Sequence, residues 1–137
     1  MAKVLEPNAT IVGRDELSEG LAIFRVALDE ALPEGDWFVP GQYMVIGVNN
    51  VGEPDLGGVQ RPMSIASEPA ERAHVEFYIR RVGEPESKNP LTHSLFLLGE
   101  GERVFLRPKP KGHFTIPGTI GMDDDRWRIY VSAGTGL

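Results

Sequence analysis

The sequence contains no cysteine among its 137 residues. That absence excludes disulfides, cysteine nucleophiles, zinc–cysteine sites and cysteine-ligated iron–sulfur clusters within the chain. The chain also has no apolar run that approaches the roughly 20 residues of a bilayer-spanning helix, and its first residues lack the apolar segment of a signal peptide. We therefore expect a cytoplasmic protein that does not insert into a membrane.

Histidine is scarce, and His74, His93 and His113 show no metal-binding spacing such as HxxxH or HxH. No metal site is predicted. Basic side chains are outnumbered, because 14 lysines and arginines face 20 aspartates and glutamates and leave a formal charge of −6. This charge disfavours nucleic acid and anionic membranes as partners. Residues 80–137, however, contain nine basic and seven acidic side chains, which indicates either a solvated face or a site for an anionic ligand or acidic partner.

Glycine and proline are abundant instead, with 16 and 11 copies that separate short apolar runs. This spacing predicts many turns and short strands, and hence an all-β barrel or sandwich. In one run Val75, Phe77 and Ile79 alternate with more polar residues, the period of a strand with one buried face. Strands are predicted at residues 9–14, 21–28, 42–48, 63–67, 74–82 and 103–109, with a polar loop over 49–60.

One helix is predicted, over residues 91–98. Asn89 is a good N-cap, Pro90 suits the first turn, and Gly99 fits the C-terminal stop. Three leucines within this segment fall on one helical face. The pattern is therefore typical of a short helix that packs one side against the barrel.

The last stretch of the sequence differs from the rest. Residues 128–132 form a short apolar run that precedes Gly134, Thr135 and Gly136. A strand followed by a glycine-rich turn is how a parallel α/β nucleotide domain begins. We therefore predict one complete barrel over residues 1–120, followed over residues 121–137 by a linker and the first strand of a second domain.

The strongest chemical motif is Arg61-Pro62-Met63-Ser64, which follows the glycine-rich loop. Arginine presents a planar fork that suits phosphate oxygens, and proline belongs at the edge or the first residues of a strand. On a strand, residues 61 and 63 point one way while 62 and 64 point the other. Taken alone, the motif is weak evidence for a ligand, because an edge-strand arginine beside a core methionine is the commoner case.

Two further motifs are compatible with a ligand. The start of the predicted helix offers free amides and the Thr92 hydroxyl, which suit a phosphate, although simple capping explains it too. In the turn over residues 110–114, Gly112 lies between bulky residues. A glycine in that position indicates a close approach to a ligand or to another strand, and an ordinary turn is the alternative.

Taken in chain order, these motifs resemble the flavin domain of ferredoxin–NAD(P)+ reductases, and most of all the short bacterial type. The family pattern is P-G-Q-[FY], R-x-Y-S, G-x-x-T/S at a helix start, a P-x-G-x-F-like turn, and G-T-G-[IL]-A-P after a strand. The matching segments of this sequence are Pro40-Gly41-Gln42-Tyr43, Arg61-Pro62-Met63-Ser64, Asn89-Pro90-Leu91-Thr92, Pro110-Lys111-Gly112-His113-Phe114 and Gly134-Thr135-Gly136-Leu137.

The resemblance implies a six-stranded antiparallel Greek-key barrel with one capping helix, which holds FAD on its outside; FMN is a weaker candidate. It implies that Arg61 binds the flavin diphosphate and that Ser64, the catalytic candidate, lies near the flavin N5 edge. The backbone around residues 78–82 would line the ribityl and ribose. The remaining implied contacts to the flavin and to the nicotinamide nucleotide are Pro62, Met63, Tyr78, Ile79, Arg80, Val82, Leu91, Thr92, His93, Gly134, Thr135 and Gly136.

Two residues depart from the family pattern. Met63 replaces the tyrosine that stacks on the flavin, and Asn89 replaces the first glycine of G-x-x-T. A methionine sulfur against an aromatic ring contributes about 0.3–1.5 kcal/mol, and an aromatic pair about 0.5–1.5 kcal/mol beyond area. Because these ranges overlap, we expect Met63 to change the flavin's electronic environment more than its occupancy.

The implied activity is transfer of a hydride from NAD(P)H to the flavin and of electrons onward to ferredoxin, flavodoxin or another acceptor. The alternative is a flavin-binding or electron-transfer module that does not catalyse turnover, and a nucleic-acid-binding barrel is disfavoured by the charge. The resemblance further implies a domain from a longer enzyme. Alone, such a domain is expected to be inactive and to bind flavin weakly. Its C-terminal strand is expected either to fold back onto the barrel or to self-associate with a second chain.

Overall fold

The computed structural model describes residues 3–133, in which β-strands predominate and one short α-helix is present. The predicted all-β class is confirmed. None of the described helical segments is long and apolar enough to cross a membrane. The elements are β1 (Ala9–Ser18), β2 (Leu21–Leu28), β3 (Tyr43–Asn49), a 3₁₀ turn (Pro54–Leu56), β4 (Gly58–Ser64), β5 (Val75–Arg80), α1 (Leu91–Phe96) and β6 (Arg103–Leu106).

The strands form one sheet in the order β4-β3-β6-β1-β2-β5, and every neighbouring pair is antiparallel. The late strand β6 lies between β3 and β1, which is the Greek-key arrangement that the resemblance implies. The two edge strands, β4 and β5, approach each other beyond the end of β4. There Ala66 N donates to Glu76 O at 2.8 Å, and Glu76 N donates to Ser67 Oγ at 3.0 Å. Within residues 3–133 no strand pairing joins β4 to β5 themselves, so the barrel is not closed. We call the gap between these two edge strands the open seam.

The core lies inside the curled sheet and under α1. Phe24 of β2 and Phe77 of β5 are fully buried opposite each other. Leu91, Leu95 and Leu98 are also buried, so the predicted apolar face of the helical segment is confirmed. A six-residue helix is too short to be stable by itself, and α1 therefore depends on these contacts with the barrel.

Several strand boundaries differ from the prediction. β1 continues to Ser18, so the turn before β2 is short and is made at Gly20, whose φ is +74°. β4 begins at Gly58 and ends at Ser64, whereas the sequence predicted a loop to residue 60 and a strand over 63–67. The polar residues at its start are strand because they pair with β3. β6 ends at Leu106, before two prolines that have no amide for a sheet hydrogen bond.

A bulge interrupts β1. Its register with β2 shifts between Ile11 and Gly13, so Val12 is the additional residue. A shift of one residue transfers every following side chain to the other face of a strand. As a result Arg14 lies opposite the buried Phe24, on the face that turns toward the core.

The start of α1 also differs from the prediction. Its N-cap is Pro90, with no side-chain capping bond, and the helix ends at Phe96 instead of residue 98. Asn89 instead accepts a hydrogen bond from Asn50 Nδ2 at 3.0 Å and donates to the backbone at residues 56 and 57. Its amide therefore attaches the chain before α1 to the loop between β3 and β4.

The strand predicted at residues 128–132 is not formed in the described part of the chain. Ile129, Tyr130 and Val131 are 90%, 79% and 93% exposed, so these side chains are not buried against the barrel. A parallel strand needs a neighbour to pair its amides and carbonyls, and residues 3–133 provide none. The predicted nucleotide-site residues Gly134, Thr135 and Gly136 lie outside the described residues.

Candidate functional site

The motif of residues 61–64 lies on the edge strand β4. Pro62 is compatible with this position because one side of an edge strand has no neighbour that requires its amide. Arg61, Pro62 and Ser64 are exposed, and Met63 is partly buried. The motif therefore lies at the open seam, along the edge of β4 that faces away from β3.

Arg61 and Met63 share one face of β4. Their antiparallel partners on β3, Ile46 and Met44, are both fully buried. The two side chains therefore extend from the rim of the core-facing surface, where that surface meets solvent. Pro62 lies on the outer face, as the predicted alternation requires.

The guanidinium of Arg61 is largely uncommitted. Its Nη1 donates to the carbonyl of the neighbouring Gln60 at 2.7 Å. Across residues 3–133 it forms no ion pair with a carboxylate. Because a guanidinium has five N–H donors, most of them are available to an anionic ligand at the seam.

Met63 has a second role beside the one that the sequence predicts. Together with Ile65 it packs against the buried core cluster. Part of its surface is thus used by the core, and the remainder is exposed at the seam. The stacking role of Met63 stays a prediction.

The opposite edge of the seam is β5. Ile79 is buried in the core, so only its backbone can face a ligand. Tyr78 is partly buried and Arg80 is exposed, and their side chains lie on the other face of the strand. This arrangement agrees with the expectation that the backbone of this stretch, more than its side chains, would line a ligand.

The first turn of α1 is hydrogen-bonded to Val82, two residues after the end of β5. Thr92 Oγ1 accepts a hydrogen bond from Val82 N at 3.0 Å, and His93 Nε2 lies 2.7 Å from Val82 O. Thr92 is only 5% exposed. The hydroxyl already accepts one bond, so its proton and a second acceptor position remain, and the phosphate contact of Thr92 stays a prediction. The side chain of Leu91 is buried as well, so this turn offers a ligand mainly its backbone amides, which no side chain caps.

The Gly112 turn approaches another strand. A Cβ at Gly112 would lie 3.1 Å from Tyr43 Cδ1, and its φ of +114° favours glycine. Tyr43 and Lys111 exchange two backbone hydrogen bonds of 2.8 and 2.9 Å. Tyr43 is also the strand partner of Ser64. The Gly112 turn and Ser64, the catalytic candidate, therefore lie on opposite sides of Tyr43.

Gln42 is a positioning residue to which the sequence assigned no role. Its carbonyl accepts from Ile65 N at 3.1 Å, directly after Ser64. Its side-chain oxygen accepts from Val39 N at 2.9 Å, and its amide nitrogen donates to Gly112 O at 3.3 Å. The P-G-Q-[FY] motif was the available signal, because a polar side chain directly after a tight turn can connect neighbouring loops.

A cavity of about 700 Å³ lies beside this region, between the barrel and the C-terminal segment. Its wall on the barrel side includes Pro40 and Phe114, and the segment contributes Trp127 and Tyr130. Phe114 is 86% exposed. The sequence did not predict this apolar cavity, which adjoins the Gly112 turn.

The chain was compared with known proteins. It is 32% identical over 137 residues to a flavodoxin/ferredoxin–NADP reductase of Rhodobacter capsulatus, an alignment that covers 99% of this chain and 45% of the relative. The chain thus spans less than half the length of that relative. No protein-family model matches the sequence.

Solved structures show the same fold. The ferredoxin reductase in carbazole 1,9a-dioxygenase is 30% identical with a TM-score of 0.59, over 82% of this chain and 31% of that one. A ferredoxin NADP+ reductase from Neisseria gonorrhoeae, solved with bound FAD and NADP, is 17% identical with a TM-score of 0.59, over 77% of this chain and 37% of that one. The resemblance predicted from the motifs is confirmed, and the chain has the barrel fold of the ferredoxin reductases.

Proposed function

We propose that the chain is the FAD-binding part of an NAD(P)H-dependent flavoprotein oxidoreductase that passes electrons to a ferredoxin-like acceptor. The carrying observation is the uncommitted Arg61 guanidinium at the open seam. Helix α1 and strand β5 both contact β4, which supports a shared site for Arg61 and the uncapped amides of Leu91 and Thr92. The likeness to the Rhodobacter capsulatus reductase, which extends over nearly the whole chain, supports the same assignment.

The donor set fits a diphosphate. An arginine fork provides charge-assisted hydrogen bonds, and amides that lack a cap suit a second anionic group. Two such donor groups on separate elements favour FAD over FMN, because FMN has a single phosphate. From the end of β5 to α1 the chain carries Arg80, Arg81 and Lys88 against Glu84 and Glu86, an excess of one positive charge that accords with an anionic ligand there.

The remaining candidate residues on β4, β5 and α1 are assigned roles in flavin binding. When bound, the flavin supplies the redox chemistry, since it takes a hydride from NAD(P)H and releases electrons singly. We assign to the exposed Ser64 a hydrogen bond near the flavin N5 edge, and to Pro62, Met63 and Tyr78 contacts with the rings and ribityl. The backbone of residues 79–82 and His93 would complete the wall, in which His93 holds the Val82 carbonyl.

The division of the chain is also part of the proposal. Residues 1–120 would form the flavin barrel, and residues 121–137 a linker and the first strand of a nicotinamide-nucleotide domain that includes Gly134, Thr135 and Gly136. The 45% coverage of the Rhodobacter capsulatus reductase supports this division. The cytoplasmic location stays a prediction.

A flavin titration tests the function, and Met63→Tyr tests the ring contact. FAD added in large excess to the wild-type chain is expected to bind weakly but saturably, with a change in flavin absorbance and fluorescence. Met63→Tyr should retain similar affinity and quench the fluorescence more strongly, because the ranges for sulfur–aromatic and aromatic contacts overlap. The matched control is Met122→Tyr, at a residue that is 72% exposed. Without saturable binding to the wild type the function is wrong, and an unchanged spectrum in Met63→Tyr removes residue 63 from the ring.

The acceptor is proposed to be acidic. Arg107, Lys109 and Lys111 alternate with two prolines, and all three are exposed. None of them pairs with a carboxylate within residues 3–133. This basic ridge leads to Tyr43 beside Ser64, so a partner bound there would lie close to the proposed flavin edge.

Charge reversal of the ridge should weaken docking. The double variant Lys109→Glu/Lys111→Glu is expected to raise the Kd for an acidic ferredoxin about tenfold at low salt and to flatten its salt dependence. Lys3→Glu, which changes an exposed lysine at the N-terminus, serves as the control. Calorimetric titration at two ionic strengths measures both quantities. Equal effects of the ridge variant and the control would exclude the ridge as the docking surface.

Self-association through the C-terminal segment is proposed from its exposed apolar side chains. Because unpaired apolar segments recruit partner strands, sedimentation of the chain is expected to show a dimer that grows with concentration. Ile129→Asp/Val131→Asp should remain a monomer, whereas Val4→Asp, at a residue 64% exposed, should behave as the wild type. A wild-type chain that stays monomeric at all concentrations contradicts the proposal.

A further inference from the structure

Arg14 of β1 lies at the far end of α1 from the proposed diphosphate site. Its Nη1 donates to Phe96 O at 2.9 Å and to Leu98 O at 2.7 Å. The first carbonyl belongs to the last residue of α1 and the second lies two residues beyond it, in the region where acceptors lack intrahelical partners. One guanidinium nitrogen thus satisfies two such acceptors and places positive charge at the negative end of the helix.

The same guanidinium also packs on aromatic rings. Its Cζ lies 5.3 Å from the centroid of Phe24 and 5.2 Å from that of Phe96, two rings that contact each other edge to face. Phe24 belongs to the barrel and Phe96 to the helix, so the Arg14 side chain joins the two. Glu16, at 3.9 Å, is its only ion-pair partner in residues 3–133.

The orientation of Arg14 depends on the β-bulge at Val12. Without the additional residue, Arg14 would alternate away from Ile11 and point outward. With it, Arg14 becomes the partner of Phe24 and faces the end of the barrel that α1 covers. Bulges commonly redirect a side chain toward a functional region, and this one directs a charged group to the C-terminal end of a six-residue helix.

We infer that Arg14 is a positioning residue for the phosphate-bearing half of the cofactor. It holds the C-terminal end of α1, and the other end of the same six-residue helix holds the Val82 peptide through Thr92 and His93. If this helix shifts, the amides of its first turn move relative to Arg61. The inference rests on the proposed function, and it adds a residue that does not touch the cofactor.

The test compares FAD with riboflavin, which has the ring and ribityl chain but no phosphate. Arg14→Met should raise the Kd for FAD about tenfold, equivalent to about 1.4 kcal/mol, and that for riboflavin less than twofold. Arg14→Lys keeps the charge but loses the planar fork, and should lie between these limits. It also keeps the test decisive if Arg14→Met unfolds. Arg103→Met removes an arginine that binds Asp29 and Thr10 on the other side of the barrel, and should leave the ratio of the two dissociation constants unchanged.

The possible results separate the two ideas. If the wild-type chain binds neither flavin, the proposed function is wrong and this inference falls with it. If the wild type binds FAD but the FAD-to-riboflavin ratio is the same in wild type, Arg14→Met and Arg14→Lys, only the role of Arg14 is overturned. Thermal unfolding of each variant, measured beside the titrations, identifies a loss of affinity that follows from lost stability, since such a loss affects both ligands alike.

Discussion

Replacing Gly41 with alanine is expected to lower the free energy of unfolding by at least about 3 kcal/mol. Its φ is +103°, a conformation that L-residues rarely adopt, and a Cβ at this position would lie 1.8 Å from Phe114 O. The backbone of residue 41 fixes the position of the Cβ, and the oxygen belongs to the backbone of Phe114, so no rotamer change can relieve the clash. The turn over residues 39–42 would have to separate from the turn that contains Phe114.

Gly35 provides the matched control for this prediction. It also has a positive φ, of +75°, but an added Cβ would meet no atom within 4 Å. Gly35→Ala should therefore cost only the conformational part, about 1–2 kcal/mol. Urea denaturation gives both values, and equal losses in the two variants would show that the contact with Phe114 does not constrain the turn. Because Gln42 O accepts from Ile65 N, Gly41→Ala should also displace the end of β4 beside Ser64.

Local sequence patterns could predict several of the strands. Val75, Phe77 and Ile79 alternate with more polar residues, and all three are buried in β5. The glycines and prolines mark turns, so the number of strands follows from them. The order of the motifs indicated which segments meet at the seam. These features are local or depend on chain order, which explains why a sequence without an alignment contains them.

The boundaries of β4 could not be predicted, because they depend on a distant residue. An added Cβ at Gly47 or Gly58 would lie 2.5 Å from a side-chain atom of Leu5. Leu5 therefore packs over both glycines, and Gly58 N donates to Lys3 O at 2.8 Å. A glycine-rich polar stretch is read as a loop, and here the N-terminal segment covers it as a strand.

The candidate site, too, could be predicted only in part from the sequence. Arg61 and Ser64 lie on β4 at the open seam, but Thr92 Oγ1 is already bonded to Val82 N. Arg14 could not be identified, because its face is set by a bulge and a period of two assigns it to the outside. Hydrogen bonds between segments distant in sequence decide which predicted donors remain available.

Replacing Arg61 with alanine should weaken FAD binding by about 1.5–3 kcal/mol, the range for a hydrogen bond to a charged group, or roughly 10- to 150-fold in Kd. Stability should change by less than about 0.5 kcal/mol, as is usual for a surface residue. Arg61 is exposed, and its one hydrogen bond within residues 3–133 is to the adjacent Gln60 carbonyl. Fluorescence titration with FAD and urea denaturation measure the two effects separately.

Arg107→Ala is the closest control for charge. Arg107 is also exposed and donates to the Gln60 side chain at 3.1 Å. The Gln60 side chain lies on the opposite face of β4 from Arg61, because consecutive side chains of a strand alternate. Arg61→Lys should fall between wild type and Arg61→Ala, since lysine keeps the charge without the fork. Equal affinities in wild type and Arg61→Ala would remove Arg61 from the diphosphate site. Equal losses of affinity in Arg61→Ala and Arg107→Ala would show that Arg61 acts only through its net charge.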